Sequence, residues 1–273
     1  MKEKRNNKSA DPQEFRHQPR KRFGQNFLHD ESVIQRIVAV VNPRPGDHVV
    51  EIGPGRGALT RHLLPVCDHF EAIELDRDLV ALLGRELMPK KPFALHQGDV
   101  LKFDFARLTD KPASLRIVGN LPYNISTPVM FHLLSYAHLI KDMVFMLQLE
   151  VVQRLAATTG DKNYGRLGLM TQYHCAVEHV FNVPSAAFTP RPRVSSAIVR
   201  LTPHRPPARQ ARDITCLQDV IRTAFTQRKK TLKNSLKTLI SEQGLLALGL
   251  DLTQRPENLS LADYITISDA ISG

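Results

Sequence analysis

Long apolar runs are missing from this chain: no uninterrupted stretch approaches the ~20 residues that a bilayer-spanning helix needs, which excludes a helical membrane protein. Residues 1–22 are polar and charged throughout and lack the apolar core of a secretory signal. Cysteine is scarce. Cys67, Cys175 and Cys216 are scattered and form no C-x-x-C pair. That argues against a disulfide framework or a zinc site, and for reduced thiols in a cytoplasmic protein that uses no metal. Internal repeats are absent as well. Negative charge is in deficit, with 27 Asp and Glu against 37 Lys and Arg, a net +10. The excess sits at the ends: +5 over residues 1–22 and +3 over 205–273, but only +2 over 23–204. A nearly balanced centre with basic extremities suits docking on a polyanion, although basic tails also aid solubility.

What is present is enough apolar material for a core. With 273 residues, 42% of them hydrophobic, the chain can build one large domain and one small one. Residues 1–22 show no apolar period and read as a disordered basic arm. Val33, Ile34, Ile37, Val38 and Val41 then recur at helical spacing behind Asp30, an N-cap, and Pro43-Arg44-Pro45-Gly46 stops that helix. Strands are predicted at His48–Ile52, His69–Glu74, 93–97, 115–119 and 143–148. Helices separate them, one over 78–87 and one begun by Thr127-Pro128 with Pro at its first position. Cys175–Val183 and 196–201 read as two further strands with no room for a long helix between them. Repeated βα units closed by a strand pair predict a Rossmann-like α/β fold. Its sheet is seven-stranded, mostly parallel, with an antiparallel edge, and binds ligands at the carboxyl ends of its strands. This domain covers 23–202. Residues 203–208, Pro203-His204-Arg205-Pro206-Pro207-Ala208, form a proline-stiffened linker. Residues 209–273 carry helical periods (Leu217, Val220, Ile221, Ala224, Phe225, then Leu232, Leu236, Leu239, Ile240, then 261–271) and read as a small C-terminal α-helical domain.

Glu51-Ile52-Gly53-Pro54-Gly55-Arg56-Gly57 stands where a strand gives way to a helix. Glycines at alternate positions, Gly53 and Gly55 first, permit positive φ and let a ligand approach the backbone. The start of the following helix offers N–H groups to an anion. Dinucleotide folds use G-x-G-x-x-G to carry a pyrophosphate. The tighter G-x-G-x-G here resembles the first motif of S-adenosylmethionine-dependent methyltransferases, in which the anion is the methionine carboxylate. Glu74 ends the next strand, where a carboxylate can accept from both ribose hydroxyls. Asp99 follows the third strand and can accept from the adenine amino group of the cofactor. Singly, each is equally at home as a tight connection or a surface acid. Three at the ends of three successive strands point to a cofactor.

Asn120-Leu121-Pro122-Tyr123 follows the fourth strand, at the same end of the sheet. Adenine's exocyclic nitrogen is a poor nucleophile because its lone pair is delocalised into the ring. Oxygens that accept from that NH₂ favour a pyramidal nitrogen and stabilise the charge growing on it. Asn120 supplies a side-chain carbonyl, Leu121 a backbone carbonyl held extended by Pro122, and Tyr123 a flat face for the base. Together with Lys21-Arg22-Phe23-Gly24-Gln25-Asn26-Phe27-Leu28, Ala72-Ile73-Glu74-Leu75-Asp76 and Phe188-x-Pro190-x-Pro192-x-Val194, these motifs resemble the ribosomal RNA adenine dimethyltransferase family from about residue 21 to the end. The bacterial small-subunit branch is the nearer match. The resemblance implies S-adenosyl-L-methionine as cofactor, and the small ribosomal subunit with its 16S rRNA as partner of a monomeric enzyme. The substrate it implies is two adjacent adenines near the 3′ end, each dimethylated late in subunit assembly. It also implies that Asn26 and Leu28 close over the cofactor, that Gly53 contacts it, that Glu74 holds the ribose and Asp99 the adenine. Asn120 is then shared between cofactor and target amine, and Phe188 is a second aromatic at the target base. Read without the family, residues 25–28 are a loop leading into a helix, with Phe27 and Leu28 as core, and Phe188 is a core residue. Arg193 and Ser195 stand where many relatives have Lys and Asp.

A base methylated in such a pocket must leave its stack, so docking must come from elsewhere. Gln227-Arg228-Lys229-Lys230-Thr231-Leu232-Lys233-Asn234-Ser235-Leu236-Lys237 has five basic residues and no acid. As one helix it would line Lys229, Lys233 and Lys237 along one face and Leu232, Leu236 and Leu239 along another, leaving the lysines, with Arg228 and Lys230, to meet phosphates. Three other readings use the same motifs: a large-subunit rRNA methyltransferase, a DNA adenine methyltransferase, and a binding protein that has lost catalysis. A DNA enzyme usually begins its target motif with Asp, where this chain has Asn120, and the intact cofactor motifs oppose lost catalysis.

Overall fold

Chain order begins with β1 (Phe27–Leu28) and α1 (Glu31–Val41); the computed structural model describes residues 26–205 and 209–273. The arm expected over 1–22 and linker residues 206–208 lie outside the described residues. Asp30 caps α1 as its sequence position suggests, accepting from the Ser32 and Val33 N–H groups, and Asn42 closes the helix in a left-handed conformation. There follow β2 (His48–Ile52), α2 (Thr60–Leu63), β3 (His69–Glu74), α3 (Arg77–Glu86), β4 (Ala94–Gln97), β5 (Leu115–Asn120), α4 (Ser126–Leu134) and β6 (Ile140–Gln148). Next come α5 (Leu149–Ala156), α6 (Arg166–His174), β7 (Cys175–Val183), β8 (Phe188–Thr189) and β9 (Ser196–Pro203). The C-terminal segment contributes α7 (Ile214–Thr226), α8 (Leu232–Leu236), α9 (Glu242–Ala247) and α10 (Leu261–Ser272).

The seven-stranded sheet has the order β4-β3-β2-β5-β6-β9-β7. Strands β2 to β6 pair in parallel and β9 and β7 run antiparallel at one edge. The chain steps outward from β2 to β4, then returns to build β5 and β6 on the other side of β2. Neighbouring crossovers therefore diverge between β2 and β5, and a crevice opens at their carboxyl ends. Helices cover both faces, so the central strands are apolar on both sides. Val50, Ile52, Ile117 and Phe145 belong to one core, and Val49, Val118 and Val144 to the other, beneath α1. A third core joins the C-terminal helices to the sheet domain: Leu217, Ile221, Leu232 and Tyr264 pack with Tyr164, Leu169 and Met170 around α6. The tail of the chain is thus seated on the large domain through apolar contact.

Four sequence expectations need correction. The helix after the glycine turn has four residues, Thr60–Leu63, because the turn itself runs on to residue 59. Helix α4 starts at Ser126, which puts Pro128 inside its first turn rather than at its first position. Phe27 and Leu28 form a strand instead of a loop, paired with Thr189 and Phe188. The basic run 227–237 is no single helix: α7 ends at Thr226, a turn carries residues 227–230, and α8 covers Leu232–Leu236. The Leu232 N–H is drawn to the Gln254 carbonyl at 2.7 Å, which fixes a new helix start there.

At the amino ends of the strands, opposite the crevice, Arg116 is 6% exposed. It donates to both oxygens of Asp142 at 2.9 and 2.7 Å, to Asp47 at 2.7 Å, and to the Val41 and Asn42 carbonyls that end α1. One side chain thereby ties β5, β6, the start of β2 and the end of α1. Burial opposes ionisation of Asp47, but hydrogen bonds from Arg116, the Arg44 N–H and Lys141 prevail and hold its carboxyl below the ordinary value. A group lowered in this way contributes stability above the ordinary carboxylate range and loses it as pH falls through the lowered folded value. We therefore expect Arg116→Met to cost about 3 kcal/mol of unfolding free energy at neutral pH, because it strands a buried carboxylate. Denaturant unfolding at neutral and acid pH checks this: the loss should shrink below about pH 4, and a constant loss would assign it to packing.

Candidate active site

A cavity of about 320 Å³ opens at the carboxyl ends of β2, β3 and β5, within the size range of small-molecule sites. Its walls include Asn26, Leu28, Gly53, Gly55, Glu74, Asp99, Asn120, Leu121, Pro122 and Tyr123. Every cofactor and tetrapeptide residue singled out from the sequence is therefore in one place. Phe188 is not. It is 3% exposed, lies within the core that also holds Leu28, Ile34 and Ile198, and does not line the cavity. Opposite Leu28 in the β1–β8 pair, with the Ala187 carbonyl accepting from His29 N–H at 3.0 Å, it backs the segment that covers the cavity.

The glycine turn is shaped by its conformation. Gly53, Gly55 and Gly57 have φ of 66°, 58° and 79°, a region costly for any side chain with a Cβ. Gly53 N–H donates to the Ile73 carbonyl at 2.9 Å, which seats the turn on β3. With α2 so short, an anion would meet the turn's own N–H groups rather than a helix dipole. A Cβ on Gly55 would touch the Phe27 ring at 3.3 Å, and Arg56 sets its guanidinium 4.7 Å from that ring's centre. Phe27 and Arg56 thus close the turn from outside, a role the sequence does not announce.

The carboxylates are oriented by backbone. Glu74, 7% exposed, accepts from Asp76 N–H at 2.9 Å through Oε1 and from Gly55 N–H at 3.2 Å through Oε2. Each oxygen retains a second lone-pair site for a ligand hydroxyl. Burial pushes its carboxyl up, against those two hydrogen bonds. Asp99 accepts from Leu101 N–H at 2.9 Å through Oδ1, an Asx turn that leaves Oδ2 as the acceptor for a ligand in the cavity this residue lines. Glu51, missed as a site residue although it begins the glycine motif, also lines the cavity. Burial pushes its carboxyl up to about 7; the Thr60 hydroxyl, donating at 2.6 Å, opposes that rise, and the nearby charge of Glu74 adds to it.

Asn120 joins the two halves of the site. Its Nδ2 donates to the Asn26 carbonyl at 3.1 Å, which leaves Oδ1 as that side chain's acceptor. Directly before it, Gly119 faces Ile52 across the β2–β5 ladder. A Cβ there would lie 2.6 Å from the Ile52 carbonyl oxygen, so only glycine lets the two strands end side by side. Beyond it the backbone is pinned by Ile125 N–H on the Pro122 carbonyl at 3.1 Å and by the Ser126 hydroxyl on the Tyr123 carbonyl at 3.1 Å. The Tyr123 ring is half-buried.

The expected basic surface is rearranged. Lys229 and Lys230 are exposed on the turn between α7 and α8, and Lys237 is exposed just past α8. Lys233 is held by Glu242 at 2.7 Å, and Arg228 lies 3.6 Å from Glu257. Among the described residues no cluster of three His, Cys, Asp or Glu side chains could hold a metal ion, and no helix is long and apolar enough to cross a membrane.

Comparison with known proteins agrees with this geometry. The family model described as "Ribosomal RNA adenine dimethylase" matches residues 16–272. The "Ribosomal RNA small subunit methyltransferase A" of Marinobacter nauticus is 54% identical over 257 residues, 94% of this chain and 92% of the relative. Its namesake in Pseudomonas aeruginosa is 54% identical over 258 residues, 94% and 96% of the two chains. Among solved structures, a dimethyladenosine transferase from Plasmodium falciparum superposes with a TM-score of 0.77 at 25% identity, covering 88% of this chain and 95% of that one. The 23S rRNA methyltransferase ErmE gives a TM-score of 0.71 at 26% identity, covering 91% and 100%. The chain belongs to the ribosomal RNA adenine dimethylase family and is an S-adenosylmethionine-dependent rRNA methyltransferase.

Proposed function

We propose that this protein dimethylates the N6-amino groups of two adjacent adenines near the 3′ end of 16S rRNA, acting as a cytoplasmic monomer on the small subunit late in its assembly. The choice of subunit is supported by similarity: the relatives named for the small subunit are 54% identical, the large-subunit enzyme 26%. The observation that carries the chemistry is Asn120, whose amide orientation is fixed by Asn26 where the glycine–acid half of the cavity meets the Tyr123 half.

Residue roles follow from that placement. The Gly53–Gly55 turn receives the methionine carboxylate of the cofactor, Glu74 accepts from the ribose hydroxyls, and Asp99 from the adenine amine. Asn26 and Leu28, held by the β1–β8 pair, close over them. When bound, S-adenosylmethionine supplies an electrophilic methyl group on a positively charged sulfur. Asn120 Oδ1 and the Leu121 carbonyl accept the two hydrogens of the target NH₂, which turns its lone pair toward that methyl. Positive charge developing on that nitrogen during transfer would be met by these two oxygens, so little reorganisation would be needed. The amine then sheds a proton to water, and a second round, with a fresh cofactor and the one N–H that remains, would give the dimethylated base. Tyr123 offers its face to the flipped adenine and offsets part of the unstacking cost. In-line displacement needs positioning above all.

The direct test is incubation with labelled cofactor and unmethylated small subunits, followed by mapping of the modified nucleotides. Two adjacent dimethylated adenines near the 3′ end are expected; label confined to large-subunit RNA would reject the choice of subunit. In the same assay Asn120→Ala should lower transfer roughly a hundredfold or more while subunit binding holds. Near-normal turnover would remove Asn120 from its assigned role.

Docking is assigned to Lys229, Lys230 and Lys237, with Arg228 and Lys233 contributing less because Glu257 and Glu242 face them. Reversing the charge of Lys229, Lys230 and Lys237 should weaken binding and flatten its salt dependence by roughly one unit of log–log slope for each phosphate no longer neutralised. An unchanged slope would exclude this surface.

A further inference from the structure

The Tyr123 ring ends in a hydroxyl that sits 2.6 Å from Ser196 Oγ, either group being able to donate. Ser196 is fully buried, the first residue of β9 and the partner of Gln148 at the end of β6. The residue before it is also fixed, since Leu149 N–H donates to the Ser195 carbonyl at 2.9 Å. Its hydroxyl is therefore anchored in the sheet, not in a loop. A tyrosine ring attached only at Cβ can swing between staggered positions about its first side-chain torsion. The phenolic oxygen lies on the ring's long axis, so a second attachment there stops the swing and fixes where the ring stands. The backbone end is held too, by the Ser126 hydroxyl on the Tyr123 carbonyl.

We propose that Ser196 is a positioning residue for methyl transfer: through the Tyr123 hydroxyl it fixes the place and axis of the aromatic ring on which the target adenine lies. It thereby couples the end of β9 to the tetrapeptide after β5. This rests on the reading of Tyr123 as the base platform. The tie matters because the target nitrogen must meet both acceptor oxygens and the methyl group along one line, and a displacement of about 1 Å is enough to cost a hundredfold in rate. Burial pushes the Tyr123 hydroxyl up, so it stays protonated and available to the serine at neutral pH.

The test is steady-state methylation of unmethylated small subunits by Ser196→Ala, Tyr123→Phe, the double variant and Tyr123→Ala, with cofactor affinity measured in parallel. Ser196→Ala and Tyr123→Phe should each lower kcat about tenfold, leave cofactor affinity unchanged, and show no further loss when combined. Tyr123→Ala should lose more. Wild-type rates in both single variants, with Tyr123→Ala impaired, would overturn the tie while keeping the platform. Additive losses would also overturn it, since Ser196 would then act elsewhere. A wild-type rate in Tyr123→Ala would instead overturn the platform reading itself. If Ser196→Ala fails to fold, Tyr123→Phe removes the same hydrogen bond with the serine in place and decides the question alone.

Discussion

Strands β2 and β5 run parallel and stop together, Ile52 opposite Gly119, with no room for even a methyl group between them. That close approach puts two chain reversals of different chemistry side by side. The turn after β2 presents glycines and N–H groups; the last residue of β5 and the turn after it present Asn120, Leu121 and Tyr123. Were the strands spread by a side chain at position 119, the same residues would exist but would no longer share a cavity. The reacting methyl and the target nitrogen come from different molecules, and their alignment depends on this one spacing.

The rest of the molecule holds that spacing from a distance. At the other end of β5, Arg116 gathers Asp47, Asp142 and the last carbonyls of α1, so the strands are locked in register from below. Above, the β1–β8 pair brings residues 27–28 and 188–189 together, lowering Asn26 onto Asn120. The cover over the cofactor half is therefore supported by the proline-rich segment that precedes β9. Parts of the chain more than a hundred and fifty residues apart thus form one cover, and Tyr123 is fastened through Ser196 to the start of β9, the strand that follows that segment.

Much of this was legible in the sequence where the signal is local. A glycine turn behind an apolar strand, acids at strand ends and Asn-Leu-Pro-Tyr all carry their chemistry in a few consecutive residues, and the structure gathers them in one cavity. The mostly parallel sheet with an antiparallel edge follows from the βα alternation. What escaped depends on partners far along the chain. A two-residue strand has no period to read, so Phe27 and Leu28 passed for loop; Phe188 reads as core from its own residues, and its role at the target base came from the resemblance alone. The run 227–237 has helical spacing over its leucines, yet capture of the Leu232 N–H by the Gln254 carbonyl breaks it. Gly119 gave no signal, because its need for a missing Cβ arises from the neighbouring strand. Glu51 had one: it opens the glycine motif, but only burial beside Glu74 reveals its raised carboxyl.

The central claim is that one cavity serves both cofactor and target, joined at Asn120. A crystal structure with the reaction product S-adenosylhomocysteine tests it most directly. The ribose hydroxyls should lie within hydrogen-bonding distance of Glu74, the adenine amine at Asp99, and the sulfur should face Asn120 and Tyr123. Product bound outside this cavity, or within it but with sulfur turned away from Asn120, would contradict the shared site.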